Sequence, residues 1–252
     1  MTDQQRNLPL YLSAPSPCSY LDNLDSNSAF LDPECDIDMQ LYGHLIKQGF
    51  RRSGRLVYRP HCETCNQCLS VRIPVERFTP RRRHRRTLAN NSHVEIRMTN
   101  AGFHQEHFSL YQKYTASRHT GGSMAESSKE EYLGFLTASW GETHFIEMRE
   151  NGKLLGVAVT DQVNDGLSAV YTFFDPDYPQ RSLGNYGVLM QISLTRQLNL
   201  PYLYLGYWIR DCKKMSYKAD YRPLEIYSHG KWRSFQHGQT IELPELPKKT
   251  IS

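Results

Sequence analysis

The clearest pattern lies in the second half of the chain. Residues 143–149 and 153–163 alternate in polarity and flank Asn151-Gly152, a dipeptide that favours a tight hairpin turn. Asp165-Gly166 turns the chain into a third run, residues 167–174, which Asp175-Pro176-Asp177 ends. The period then changes from 2 to 3.6. Leu189, Met190, Ile192 and Leu194 predict a helix that starts at Gly184 or Asn185 and reaches about Leu198, where Leu200-Pro201 stops it. An apolar, aromatic strand beginning at Leu203 follows and breaks at Arg210-Asp211. Residues 224–228 and 231–235 pair across His229-Gly230 as a final hairpin.

The first half is less regular. Residues 1–17 read as a loose tail closing on Pro15-Ser16-Pro17. Asp36 is placed to cap a helix carrying Leu41, Tyr42, Leu45 and Ile46, with Gly49 past its end. Strands are expected at residues 55–59 and 69–73, separated by the loop 60–68, and another at 93–98. Asn100-Ala101-Gly102 is the candidate boundary between an N-terminal region, 1–100, and a C-terminal domain, 101–252. Beyond it Phe103, His107, Tyr111 and Tyr114 recur at helical spacing. Ser128 and Glu131 then form a capping box ahead of a further helix.

An antiparallel meander, a crossover helix and a buried strand make an α+β layout, with the last strand placed parallel to its neighbour. Ligands in such sheets sit where strand ends splay and a helix N-terminus points in. Here that helix start is Arg181-Ser182-Leu183-Gly184-Asn185-Tyr186-Gly187. It is close to the pyrophosphate loop of acetyl-CoA-dependent N-acetyltransferases, with glycine spacing off by one; an ordinary turn and helix cap is the plain alternative.

Composition narrows the partners. Apolar residues make up 39% of 252, which supports a packed core. No run approaches the ~20 apolar residues of a membrane span, and the first ten residues lack the apolar segment of an export signal. Net charge is +4, but between Arg51 and Arg86 stand eleven Arg, no Lys and only two acids, leaving the rest of the chain acidic. A block of nearly pure arginine suits bidentate phosphate contact and base stacking, so it points to a nucleic acid; a solvated basic face is the alternative.

Six cysteines without an export signal point to a reducing cytoplasm. Cys62, Cys65 and Cys68 stand at C-x2-C-x2-C spacing with His61 beside the first, and Cys18 or His61 could complete a tetrahedral set for zinc or an iron–sulfur centre. A loop of reduced, partly buried thiols fits the same spacing. Cys35 and Cys212 stand alone and read as small core residues.

Cys18-Ser19-Tyr20-Leu21, the run from Phe50 through Gly54 to Cys62, Cys65, Cys68, Ser70-Val71-Arg72, Asp161, GLSAVYTFFDPD from Gly166, Arg181-Ser182-Leu183-Gly184 and the stretch from Tyr202 to Tyr217 resemble the aminoacyl-tRNA–protein transferases of the N-end rule pathway. The resemblance covers about residues 15–235, and the text YLYLGYWIRDCKKMSYK is most like its bacterial, leucyl-transferring branch. It departs from the eukaryotic members at Leu21 and Asn66, where those carry further thiols. It implies a GNAT-like acyltransferase fold, with the Cys-rich loop in an N-terminal α/β region. It also implies transfer of leucine from leucyl-tRNA to the α-amino group of proteins beginning with Asp or Glu, which marks them for degradation.

That chemistry needs no cofactor, because the aminoacyl ester is already activated. The enzyme must align two ends and stabilise an oxyanion; Cys212 is not needed as a nucleophile. The tRNA requires cations and stacking faces: Arg51, Arg52, Arg55, Arg81, Arg82, Arg83, Arg85 and Arg86 for its backbone, Arg181 and Gly184 for a phosphate near its 3′ end, and Tyr207 and Trp208 as aromatic faces. The acceptor's acidic side chain requires a cation, with Arg59, His61, Lys213, Lys214 and Lys218 as candidates. Its amine requires a hydrogen-bond acceptor, Tyr171 or Asp175. Three other readings stay open: arginyl-tRNA as donor, a CoA-dependent N-acetyltransferase, and a non-catalytic RNA-binding module.

Overall fold

The computed structural model describes residues 8–118 and 127–244. The expected hairpins form. β9 (Glu142–Glu150), β10 (Lys153–Val163) and β11 (Gly166–Phe174) pair antiparallel in sequence. Positive φ at Asn151 (50°) and Gly152 (80°) makes the first turn, as the dipeptide predicts. The crossover is α5 (Leu183–Gln197), and β12 (Tyr202–Trp208) returns parallel to β11. β13 (Leu224–Ser228) and β14 (Lys231–Phe235) form the closing hairpin.

β12 is not an edge. β7 (Leu69–Pro74) pairs antiparallel with it and with β13, and β8 (Glu95–Asn100) pairs with β9 at the far side. The result is an eight-stranded mixed sheet, β14-β13-β7-β12-β11-β10-β9-β8. Strands from both sides of Asn100 therefore share one sheet, and the fold is α+β. Local alternation does not reveal this, because pairing partners more than a hundred residues apart leave no mark in either sequence.

The two faces of the sheet are covered separately. On one, Val157 and Val159 pack under α3 (Gln105–Arg118) and α4 (Lys129–Leu136) through Phe108, Tyr111, Tyr132 and Leu136. The Ser128–Glu131 box caps α4 with reciprocal bonds of 2.7 and 3.1 Å. On the other, α5 lays Val188, Leu189 and Ile192 against Val71, Ile73, Leu203 and Leu205. α2 (Arg82–Asn90), which is the arginine run itself, packs beside α5.

The N-terminal part adds a four-stranded sheet, β1-β4-β6-β5. Its strands are β1 (Leu10–Leu12), β4 (Ser28–Leu31), β5 (Arg51–Ser53) and β6 (Leu56–Pro60). β2 (Ser16–Pro17) and β3 (Asp25–Ser26) form a short ribbon. Part of the expected tail is thus strand, because Leu10, Tyr11 and Leu12 find partners at Leu31, Phe30 and Ala29; residues 1–7 lie outside the described residues. α1 (Met39–Lys47) is capped by Asp38, whose carboxylate accepts from the Leu41 N–H at 2.7 Å, rather than by Asp36. α6 (Lys213–Ser216) is a single turn.

Candidate functional site

β11 and β12 part company early. Their parallel pairing runs only from Gly166–Tyr202 to Ser168–Tyr204. Each strand also slips register against its other neighbour at that point. β10 and β11 shift between Val159 and Thr160, and β12 and β7 between Tyr204 and Gly206. Gly206 takes φ +77°, which a side-chain-bearing residue adopts only under strain.

A cavity of about 130 Å³ opens in this splay. Its floor is Ser168, Ala169 and Val170 of β11 and Leu205, Gly206 and Tyr207 of β12. Tyr20, Tyr42, Arg51, Arg52 and Tyr58 come from the N-terminal part, and Met215 and Lys218 from the segment after β12. Among the described residues, no Asp or Glu lines it.

Two of its cations have different fates. Arg52 is held in a two-pronged pair with Asp161, with Nε–Oδ2 2.6 Å and Nη2–Oδ1 2.7 Å, and also donates to the carbonyls of Leu136 and Gly54. Its charge is spent on the scaffold, and its burial takes it off any tRNA path. Arg51 donates through Nη1 to the Phe50 carbonyl at 2.6 Å and through Nη2 to Ser70 Oγ, and lies over the rings of Tyr204 and Tyr207 at 5.7 and 5.6 Å. Its Nε is buried without a partner.

Lys218 faces Arg51. It is 7% exposed, and its Nζ donates to the Tyr207 carbonyl at 2.6 Å and lies 3.3 Å from Met215 Sδ. Burial, reinforced by the Arg51 charge, brings its pKa down to about 7. A methyl group built on Gly206 would lie 3.7 Å from Lys218 Nζ and 3.9 Å from Arg51 Nε. The missing side chain of Gly206 therefore leaves a space flanked by the Arg51 and Lys218 nitrogens, one of them unsatisfied. Two such donors suit an anion.

The other expected residues scatter. Tyr207 lines the cavity but is tied through its hydroxyl to the Gly49 carbonyl at 2.9 Å. Trp208 is core, donating Nε1–H to the Ser216 carbonyl at 3.2 Å, and offers no free stacking face. Arg59 stacks on Phe50 at 4.9 Å, and His61 and Arg55 are exposed outside the cavity lining. Lys213 and Lys214 are exposed on α6. Arg81, Arg82, Arg83, Arg85 and Arg86 are all exposed at the start of α2. Arg83 meets Asp220 at 2.5 Å, and buried His84 stacks on Tyr221 at 5.0 Å and 10°. The block is therefore divided between a surface helix and the buried Arg51, Arg52 and Arg72, the last held by Glu225 at 2.8 Å.

Neither expected base is placed to act. Asp175 is buried at the opposite end of β11, bound by Lys113 at 2.6 Å and Lys153 at 3.3 Å. Burial works to raise its pKa, but these lysines and the Asp177 N–H outweigh it and hold the carboxyl below its usual value, which makes a weak base. Burial pushes the Tyr171 hydroxyl up, and its ring packs on Tyr111, Tyr114 and Phe135. Arg181 pairs with Glu150 at 2.8 Å. Gly184 faces the Phe174 ring, which a methyl group there would meet at 3.1 Å, so it is a packing glycine.

Cys18, Cys62, Cys65, Cys68 and Cys212 share one neighbourhood. Burial first, then these other thiols, push Cys68 up to about 12. Among the described residues no three His, Cys, Asp or Glu side chains converge as metal ligands, and Cys62 Sγ donates weakly to the Asn27 carbonyl. As they stand, the thiols do not form a tetrahedral ligand set. Cys212 is buried as a core residue.

Of the residues lining this cavity, the sequence singles out Arg51, Arg52 and Tyr207 for tRNA and Lys218 for the acceptor, but not Tyr20, Tyr42, Tyr58 or Gly206. For Gly206 a signal existed: a lone glycine inside YLYLGYW marks a bulge or close approach. The tyrosines had none, since three separate elements deliver them.

Comparisons with known proteins give the family. Family models described as Arginine-tRNA-protein transferase, N terminus, and Arginine-tRNA-protein transferase, C terminus, match residues 16–86 and 106–228. The aspartate/glutamate leucyltransferase of Alcanivorax borkumensis is 50% identical over 233 residues, covering 92% of this chain and 96% of that one. That of Hahella chejuensis is 48% identical over 227 residues, covering 90% and 97%. Among solved structures, the C-terminal domain of a lysylphosphatidylglycerol synthetase from Agrobacterium fabrum aligns with TM-score 0.44 at 12% identity, covering 67% of this chain and 52% of that one. The chain belongs to the arginine-tRNA–protein transferase family.

Proposed function

We propose that the protein transfers leucine from leucyl-tRNA to the α-amino group of proteins beginning with Asp or Glu, and so marks them for degradation. The observation that carries this reading is the anion space at Gly206, with Arg51 Nε and Lys218 Nζ on either side. The relatives are named aspartate/glutamate leucyltransferases, which supports a leucyl group passed to those two residues.

The acceptor's carboxylate enters the cavity and takes the free Arg51 Nε–H and a Lys218 N–H. An apolar side chain there leaves the buried Arg51 Nε–H unpaired, which costs ~1–3 kcal/mol. The anchored α-amine then faces the splay, where it attacks the ester carbonyl and the ribose oxygen departs. Because the ester is already activated, no metal or redox group is required. Leucine rather than arginine is taken as the donor's residue because the relatives are named leucyltransferases.

α5 crossing between parallel β11 and β12, with the pair splayed beyond Ser168, reads as a GNAT-like acyltransferase core. Residues 1–100 are read as the N-terminal transferase region, with the Cys-rich loop and the arginine block, and residues 101–252 as the C-terminal transferase domain. The exposed arginines of α2, with Lys213 and Lys214, form the tRNA backbone contact. Leucyl-tRNA implies work in the cytoplasm.

The test is transfer from labelled leucyl-tRNA, arginyl-tRNA or acetyl-CoA to peptides beginning with Asp, Glu or Ala. Leucine on the Asp and Glu peptides alone is expected. Transfer from acetyl-CoA, or equal use of the Ala peptide, would overturn the reading.

A further inference from the structure

The reaction needs a neutral amine, and the acceptor arrives largely as an ammonium, since an α-amino group has a pKa near ~8. Something must take that proton. Asp175 and Tyr171 are at the wrong place or in the wrong state, as their partners show. Among the described residues that line the cavity, Lys218 carries the one amine.

We propose that Lys218 is the base for the acceptor's α-ammonium, and that the acceptor's own carboxylate switches it on. This rests on the proposed transfer reaction and adds a second use of the acidic side chain to it.

The geometry supports both halves. Lys218 Nζ lies on the cavity wall, and its protein contacts are a carbonyl and a thioether. The charged and titratable groups around it are Arg51 and Arg52 from β5, the second neutralised by Asp161, the hydroxyl of Tyr207 on β12, the thiols of Cys68 and Cys212, and the cavity hydroxyls of Tyr20, Tyr42 and Tyr58. Among the described residues, no carboxylate lines the cavity. With the cavity empty, burial and the Arg51 charge keep the amine close to neutral at physiological pH. A carboxylate entering between Arg51 and Lys218 balances the Arg51 charge and favours the ammonium form against burial, so the lysine becomes more basic when the correct substrate arrives.

The proton then moves from the acceptor ammonium to Lys218. The site holds an ion pair, and the acceptor nitrogen carries its lone pair. That nitrogen forms a bond to the ester carbonyl carbon, and the bond from that carbon to the ribose oxygen breaks. The nitrogen's second proton leaves with the ribose oxygen. Lys218 releases its proton to water once the product carboxylate departs. Atoms and charge balance without a co-reactant.

An acidic first residue is therefore selected twice, in binding and in activation. Changing the acceptor's first residue from Asp to Asn lowers kcat as well as raising KM.

The decisive measurement uses the wild-type protein with leucyl-tRNA and two acceptors. One is an Asp peptide; the other is an aminooxy analogue with the same carboxyl group and a nitrogen already neutral at pH 7. With the Asp peptide, kcat/KM should fall on the acid side with a limb near pH 7. With the aminooxy acceptor that limb should vanish. Lys218→Arg keeps the cation but loses the base. At pH 7 it should cut kcat for the Asp peptide about 100-fold, within the range of general-base effects, with KM within about 5-fold of wild type. The aminooxy acceptor should bring it back to within about 5-fold of wild type. Persistence of the limb with the aminooxy acceptor, equal loss on both acceptors, or an unimpaired Lys218→Arg enzyme would overturn the proposal. Failure of the transfer reading itself looks different: wild type would then not prefer Asp over Ala at any pH.

Discussion

Arg52 and Asp161 face each other through two bonds of 2.6 and 2.7 Å, with side-chain exposures of 0% and 1%. The pair joins β5 of the N-terminal part to β10 of the large sheet, and Thr143 Oγ1 donates to the same carboxylate at 2.7 Å. Asp161→Asn leaves an unpaired guanidinium in the interior. It should cost about 3–5 kcal/mol of stability, read as a lowered urea midpoint. A change under about 1 kcal/mol would mean the guanidinium finds water.

Arg51 and Arg52 are adjacent, yet opposite outcomes are expected. Arg51→Gln should raise KM for Asp and Glu peptides about 10- to 100-fold, the worth of one charge-assisted hydrogen bond. Its affinity for tRNA should stay within about 3-fold. Equal losses for tRNA and peptide would place Arg51 on the nucleic-acid path instead.

The double variant Arg82→Gln, Arg86→Gln should show the reverse pattern. Affinity for all tRNAs falls together, and the salt dependence flattens by roughly 0.7–0.9 for each phosphate no longer neutralised. Peptide KM should not move. An unchanged salt slope would remove α2 from the tRNA-binding surface.

Lys218 carries a stability cost. Its folded pKa, about 7, lies below the 10.5 of a free lysine, so the folded state resists protonation. Stability falls as pH drops from about 10.5 to about 7 and levels below that. Lys218→Met should therefore be more stable than wild type at pH 7 by about 1–4 kcal/mol, with the gap closing toward pH 10, while transfer is abolished. Denaturation midpoints at pH 7 and pH 10 check both the sign and the window.

Acid should act elsewhere. Glu147 is held at about 2, first by Arg149 and then by His107, which bonds it at 2.6 Å. Its contribution is present above about pH 4.5 and is lost as pH falls toward 2. Burial also lowers the His107 pKa despite Glu147, so its protonation destabilises in the same direction. Glu147→Gln should flatten acid unfolding, with the loss of stability between pH 5 and 2 reduced by about 2–3 kcal/mol. An unaltered acid midpoint would show that other carboxylates dominate.

Local chemistry makes much of the fold readable. Asn151-Gly152 fixes a hairpin because its residues tolerate positive φ, and Ser128 with Glu131 fixes a helix start because their bonds are made within four residues. Asp36 and Asp38 both sit before the same apolar stripe, and only the backbone path decides which carboxylate reaches the Leu41 N–H. The Arg block misleads in a different way. Charge density treats Arg51, Arg52, Arg72 and Arg82 alike, although the first three are buried and the last is on the surface.

By itself the sequence determined the meander, the crossover helix, the closing hairpin and the family, all carried by residues near one another in the chain. Only the tertiary structure decided that β7 sits beside β12, that Asp161 takes Arg52, and that Arg51 and Lys218 share the space above Gly206. Those outcomes depend on contacts across more than a hundred residues. There, burial and the presence or absence of a counter-charge set what each cation does, and a linear pattern carries no record of either.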